Sequence, residues 1–96
     1  MSSHSLLPEL TAFFCSIRDD SRISPVHISL FMAIIQFWKD NDYKSPVSVF
    51  GHELMNLAKI SGVATYHRCI RQLEEYGYIK YEPSFDRFVG SLIYLT

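Results

Sequence analysis

Apolar residues recur along this chain with two different periods, and the places where the period changes outline its elements. In LLPELTAFFCSIRDD, Leu10, Phe13, Phe14 and Ile17 stand at helical spacing, which predicts a helix over 8–18 with Pro8 tolerated in its first turn. DDSR is a short polar break. Ser24-Pro25 then marks a helix start by two devices: a hydroxyl that can cap, and a proline whose missing N–H costs nothing in the first turn. From Val26 to Trp38 the pattern is apolar nearly all round. Ile28, Phe31, Met32, Ile35 and Trp38 make one stripe and Leu30, Ile34 and Phe37 widen it, so a helix over 25–40 is expected to be central and buried on most sides. KDNDYKSP closes it with polar turn residues and Pro46.

Val47-Ser48-Val49 is long enough only for a brief extended segment. A helix follows with Leu54, Leu57 and Ala58 on one face and Ile60 near its end; Phe50 fits either segment. Ser61-Gly62 is a turn. Val63, Tyr66, Ile70 and Leu73 then repeat at helical spacing, with Cys69 and Tyr76 beside them, and Gly77 is well placed to end the helix in the left-handed conformation. Tyr78 to Glu82 and Ser91 to Leu95 are rich in β-branched and aromatic residues. The loop between them contains Pro83 and Gly90, so the pair predicts a C-terminal β-hairpin.

Ninety-six residues are enough for one domain and too few for two. The start, MSSHSLLPEL, lacks a basic region and a long apolar run, and ISLFMAIIQFW is too short to span a bilayer, so the expected location is cytoplasmic with no membrane partner. Cys15 and Cys69 lack any CxxC spacing and are expected to be buried, reduced thiols. His4, His27, His52 and His67 are scattered without metal-binding spacing, so neither a metal nor a cofactor is expected. A net charge of -1 means that any nucleic-acid function must rest on local charge.

The order helix, helix, brief strand, helix, tight turn, helix, hairpin is the layout of a winged helix-turn-helix domain: α+β, mainly α, with an extra N-terminal helix and a C-terminal β-hairpin wing. On that layout residues 1–24 are a helical extension and 25–96 the winged domain. IRQLEEYGYIKYEP resembles the end of the recognition helix and the start of the wing in many winged-helix regulators, through Leu73, Glu74, Glu75, Gly77 and Ile79. RISPVHISLFMAIIQFW, ELMNLAKIS and ATYHRCIRQLEEYGYIKYEPSF…GSLIYL are similar to small winged-helix proteins of Bacteroidetes mobile elements, over roughly residues 20–96. That resemblance implies a DNA-binding regulator or accessory factor of a mobile element. The turn from Gly62 to Tyr66 is shorter than in many winged-helix regulators, so no base-contacting positions are carried over from them.

With Val63, Tyr66, Ile70 and Leu73 inward, the outward face of helix 61–76 carries Ala64, Thr65, His67, Arg68, Arg71 and Gln72. No acid lies between Glu53 and Glu74, while Lys59, Arg68 and Arg71 are positive and His67 can become so. Arginine suits guanine or phosphate and glutamine suits adenine, so insertion of this helix into the major groove of double-stranded DNA is the expected mode. On the bland reading, Arg68 and Arg71 only solubilise the face, with Arg71 pairing with Glu74 or Glu75. Lys80, Ser84 and Arg87 are further candidate contacts from the wing, opposed by Glu82 and Asp86, while Phe85 and Phe88 are expected to anchor the loop on the core.

Asp19-Asp20 and Glu74-Glu75 are adjacent pairs that diverge on a helix, and no nucleophile constellation or Gly-rich phosphate loop is present, so no enzyme is expected. The alternative function is a near-neutral winged-helix module that binds protein instead of DNA. Leu6, Leu7, Leu10, Phe13, Phe14 and Ile17 are more apolar surface than a short helix needs for its own docking, which suggests a homodimer through the N-terminal helix. The competing role is intramolecular, with Phe13, Phe14 and Ile17 capping helix 25–40.

Overall fold

The computed structural model describes residues 7–86 and 88–95. Arg87, Leu6, His4 and the side chain of Leu7, all named above, lie outside what it describes.

Helix α2 (Pro25–Asp40) organises the fold. Its start carries the anticipated cap in an unusual form: Ser24 Oγ accepts from the His27 backbone N–H, and His27 Nδ1 accepts from the Ser24 N–H at 2.9 Å. His27 thus takes the place that Glu or Gln holds in a common capping box. The helix buries Leu30, Phe31, Ala33, Ile34, Ile35 and Trp38, as its nearly all-round apolar pattern requires.

Helices α3 (Gly51–Ala58) and α4 (Val63–Glu75) pack against α2, and Phe50 is the residue before α3. The Ser29 hydroxyl donates to the carbonyl of Ala58, satisfying one of the orphan acceptors at the end of α3. Leu54, Ile70 and Leu73 complete the centre with Leu30 and Ile34. Two inward assignments differ. Leu57 is exposed because the buried strip of this short helix is narrow, following Leu54 and Ala58. Val63 is 59% exposed because it opens α4 within an exposed stretch, Ser61 to Ala64, that no element covers.

The hairpin strands β2 (Ile79–Glu82) and β3 (Ser91–Leu95) form as expected, with Gly77 at φ 90 linking α4 to β2. The sheet is larger than a hairpin. Strand β1 (Val47–Val49) pairs antiparallel with β3, Val47 opposite Ile93 and Val49 opposite Ser91, giving the order β1-β3-β2. Val47 and Val49 point into the core while Ser48 faces out, so even three residues suffice for an edge strand. The described residues therefore form a small α+β domain, mainly helical, of four helices and a three-stranded antiparallel sheet.

Helix α1 (Leu7–Ile17) lies on this same core. Phe13 is buried and stacks on Phe31 with ring centroids 3.8 Å apart, and Leu10 and Ile17 flank it. Of the described side chains behind the homodimer expectation, Leu10, Phe13 and Ile17 are thereby used within the chain and Phe14 is left exposed. Cys15 falls opposite the Leu10–Phe13–Ile17 stripe and is exposed, contrary to expectation; Cys69 is buried and both thiols are free. Beyond α1, Asp20 ties the connection down. Arg22 donates to it through Nε (2.8 Å) and Nη2 (2.9 Å), and the Tyr78 hydroxyl donates to it at 2.7 Å. The Arg22 side chain foremost, and then the Tyr78 hydroxyl, hold the Asp20 carboxyl well below the usual carboxylate range. Burial, reinforced by the bond to Asp20, pushes the Tyr78 phenol up to about 12.

Candidate functional site

Two concave surfaces among the described residues are roomy enough to bind something. The larger, about 500 Å3, lies beneath α1 and is lined by Glu9, Phe13, Phe31, Ile35, Tyr76 and Tyr78 among others, with no cationic side chain. The second, about 350 Å3, lies between α4, the start of α3 and the β2–β3 loop. Its walls include Phe50, Tyr66, His67 and Arg71 on one side and Tyr81, Ser84, Phe85 and Asp86 on the other. This second groove holds three of the candidate DNA contacts, His67, Arg71 and Ser84.

Helix α4 supplies the first wall. Tyr66, Cys69, Ile70 and Leu73 turn inward, and burial pushes the Tyr66 phenol well above its ordinary range. His67, Arg68 and Arg71 are therefore exposed, with His67 and Arg71 one turn apart on the groove side. The His67 ring sits edge-on against Tyr66 at 5.3 Å. Neither arginine forms an ion pair among the described residues; Glu74, a candidate partner for Arg71, accepts from the Tyr81 backbone N–H at 2.9 Å. Thr65 is half-buried on the same helix.

Gln72 departs from its expected outward role. Its Oε1 lies 2.7 Å from His27 Nε2, and the residue is half-buried between α4 and α2. Since His27 Nδ1 already accepts from Ser24, the ring proton belongs on Nε2 and the Gln72 carbonyl must face it. The amide of Gln72 thus locks the angle between α4 and α2.

Lys59 ends α3 in the left-handed conformation, φ 62 and ψ 39, and is exposed just before the turn into α4. Lys80 is not brought to the groove. Tyr81 lines the groove, and strand side chains alternate, so Lys80 projects from the opposite face, 5.4 Å above the Tyr94 ring and 3.8 Å from Glu82. Ser84 is held in the loop: its backbone N–H donates to Ser91 Oγ, and its Oγ accepts from the Asp86 N–H.

The largest departure is in that loop. Phe85 and Phe88 do not anchor it on the core; they are 97% and 78% exposed. The loop bonds to itself, with Asp86 Oδ1 accepting from Phe88 N–H and the Asp86 carbonyl from Val89 N–H, and it leaves both rings in solvent. Three apolar residues in FDRFV, between Pro83 and Gly90, were the available signal for this.

No cluster of three His, Cys, Asp or Glu side chains suited to a metal occurs among the described residues, and no described helix is long and apolar enough to cross a membrane. Comparisons with protein-family models, with characterised proteins and with solved structures found no significant match to this chain.

Proposed function

We propose that this chain is a winged helix-turn-helix DNA-binding protein, with α2, α3 and α4 as its three-helix core, α4 as recognition helix and β2–β3 as wing. The element order and the return of β3 to pair with β1 support the fold reading. One observation carries the functional reading: α4 exposes Arg68 and Arg71 on one face, and Arg71 and His67 share a groove with the hairpin loop. An α-helix fits the major groove of B-DNA, and a hairpin beside it reaches the flanking backbone. Lys59, exposed at the turn leading into α4, is a further candidate for a phosphate contact. Thr65 is a further polar group on the helix, whereas Gln72 serves the interior and Lys80 lies on the far face of the sheet. Together with the resemblance to mobile-element proteins, this points to a cytoplasmic regulator or accessory factor of such an element.

The test is binding of a labelled duplex from the DNA upstream of the chain's own coding region, across a salt series. Affinity should fall steeply with salt, and Arg68→Ala with Arg71→Ala should weaken binding several-fold and flatten the salt slope, because each lost phosphate contact releases fewer counterions. A folded double variant that binds like the parent removes α4 from the interface.

The protein-docking alternative draws on one specific observation, the exposed Phe85, Phe88 and Val89 at the loop tip of a chain with net charge -1. A folded parent chain with no affinity for duplex DNA at low salt would favour it.

A further inference from the structure

Three of five consecutive loop residues are exposed and apolar: Phe85 at 97%, Phe88 at 78% and Val89 at 53%. Scattered single apolar residues are normal on a protein surface; a cluster at the tip of a projecting loop is not. The loop is shaped by its own bonds, with Asp86 accepting from both Phe88 N–H (2.9 Å) and Val89 N–H (3.0 Å). Phe85 stands at the rim of the groove whose opposite wall carries His67 and Arg71.

That pairing says what the ring is for. The Arg71 guanidinium on one wall suits a phosphate, and an apolar ring at the other suits a base face. A protein-docking patch would be expected to continue across its surroundings as apolar surface. Here the opposite wall sets the exposed guanidinium of Arg71 beside Phe50 and Tyr66, and Asp86, the one acid lining the groove, has its carboxylate accept the Phe88 N–H. A platform for single strands would need successive exposed rings along the groove, yet Tyr66 is buried and Phe50 and Tyr81 are half-buried, so Phe85 is the one fully exposed ring among those lining it.

Resting on the DNA-binding reading above, we infer that Phe85 is a wedge that enters the base stack of duplex DNA while the α4 cations hold the adjoining phosphates. Phe88 and Val89 cover the neighbouring sugar and base edges. Unstacking is cheapest at pyrimidine–purine steps, so the wedge adds a preference for TA or CA steps at a fixed distance from the bases under α4, and a bend in the bound DNA.

The experiment uses the full chain and a set of short duplexes, each with one 2-aminopurine at a different position, because that base brightens when unstacked. One or two adjacent positions should brighten on binding. Phe85→Ala should abolish the signal and weaken binding about five- to tenfold, with Phe85→Leu intermediate. Duplex binding with no position brightening, or Phe85→Ala binding as tightly as the parent, overturns the wedge and leaves the DNA-binding reading standing. Tighter binding to single strands than to duplex also overturns it, as does self-association that Phe85→Ala removes. Absence of any duplex binding by the folded parent overturns both.

Discussion

The two sides of α4 face opposite kinds of surroundings. On the side toward α1 and the start of α2, polar groups and rings are matched: Asp20 with Arg22 and Tyr78, Arg22 over the Tyr76 ring at 4.0 Å, His27 with Gln72, Phe13 on Phe31. On the outer side, Arg68 and Arg71 have no ion-pair partner among the described residues, Lys59 before the helix sits in a strained backbone conformation, and Phe85 is exposed at the rim of the groove. Matched groups hold a fold together. Groups left unmatched at some cost are better candidates for contacts made outside the chain.

That contrast makes its strongest prediction with two phenylalanines. Phe31→Ala removes a ring buried under Phe13 and should cost roughly 3–5 kcal/mol, enough to unfold many domains of this size. Phe85→Ala removes an exposed ring and should change stability by no more than about 0.5 kcal/mol. Urea melts of both variants measure this. Equal losses would erase the division between the two regions.

A smaller effect is expected where the hairpin meets β1. A side chain at Gly90 would place its Cβ 2.9 Å from the backbone nitrogen of Val49 and from Ser48 Oγ. The serine can rotate away but the strand backbone cannot, so Gly90→Ala should destabilise by about 1–3 kcal/mol and loosen the β1–β3 pairing. A melt unchanged by Gly90→Ala would mean that the edge strand gives way easily.

Asp20 tests the matched side by pH. Its carboxyl titrates lower in the folded chain than in the unfolded one, so its contribution is present above the unfolded pKa of about 3.9 and is lost as pH falls below it toward the folded value. Asp20→Asn should therefore lower Tm at pH 7, and the gap from the parent should narrow as the pH falls below about 4. A gap that stays constant across that range would show that Asp20 acts by shape and not by charge.

Periodicity in the sequence was enough to place α2, α4 and the hairpin strands, because each carries a long or alternating apolar pattern ended by a strong signal such as Ser24-Pro25 or Gly77. It was weaker where an outcome depends on what lies opposite. The inward assignment of Val63 failed because helical phase does not reveal whether a neighbour covers the first turn. Gln72 lies at the edge of the outward face, and only the fold shows His27, forty-five positions earlier, waiting for its carbonyl. Lys80 and Tyr81 are adjacent in sequence, yet the pleat sends one to the groove and the other away. For Phe85 and Phe88, average burial preference pointed inward, and a loop that bonds to itself overrode it.

The smallest effect is also the sharpest probe of the unmatched side. Lys59 occupies a left-handed position at the end of α3, where its backbone N–H bonds the Asn56 carbonyl and that of Ile60 bonds Met55 at 2.9 Å. Glycine is the usual residue at such a cap, because a Cβ there costs roughly 1–2 kcal/mol. Part of that gain is offset by the greater freedom glycine has in the unfolded chain, about 0.5–1 kcal/mol. Lys59→Gly should therefore stabilise the domain by up to about 1 kcal/mol, or raise Tm by about 5 °C for a domain of this size. If lysine is at this cap for a phosphate, the more stable variant should bind duplex DNA less tightly, with a salt slope shallower by about one. Gain in stability with loss of binding is the pattern expected of a residue placed for a partner. A stabilised variant with unchanged binding would leave Lys59 outside the interface and confine the contact to α4 and the wing.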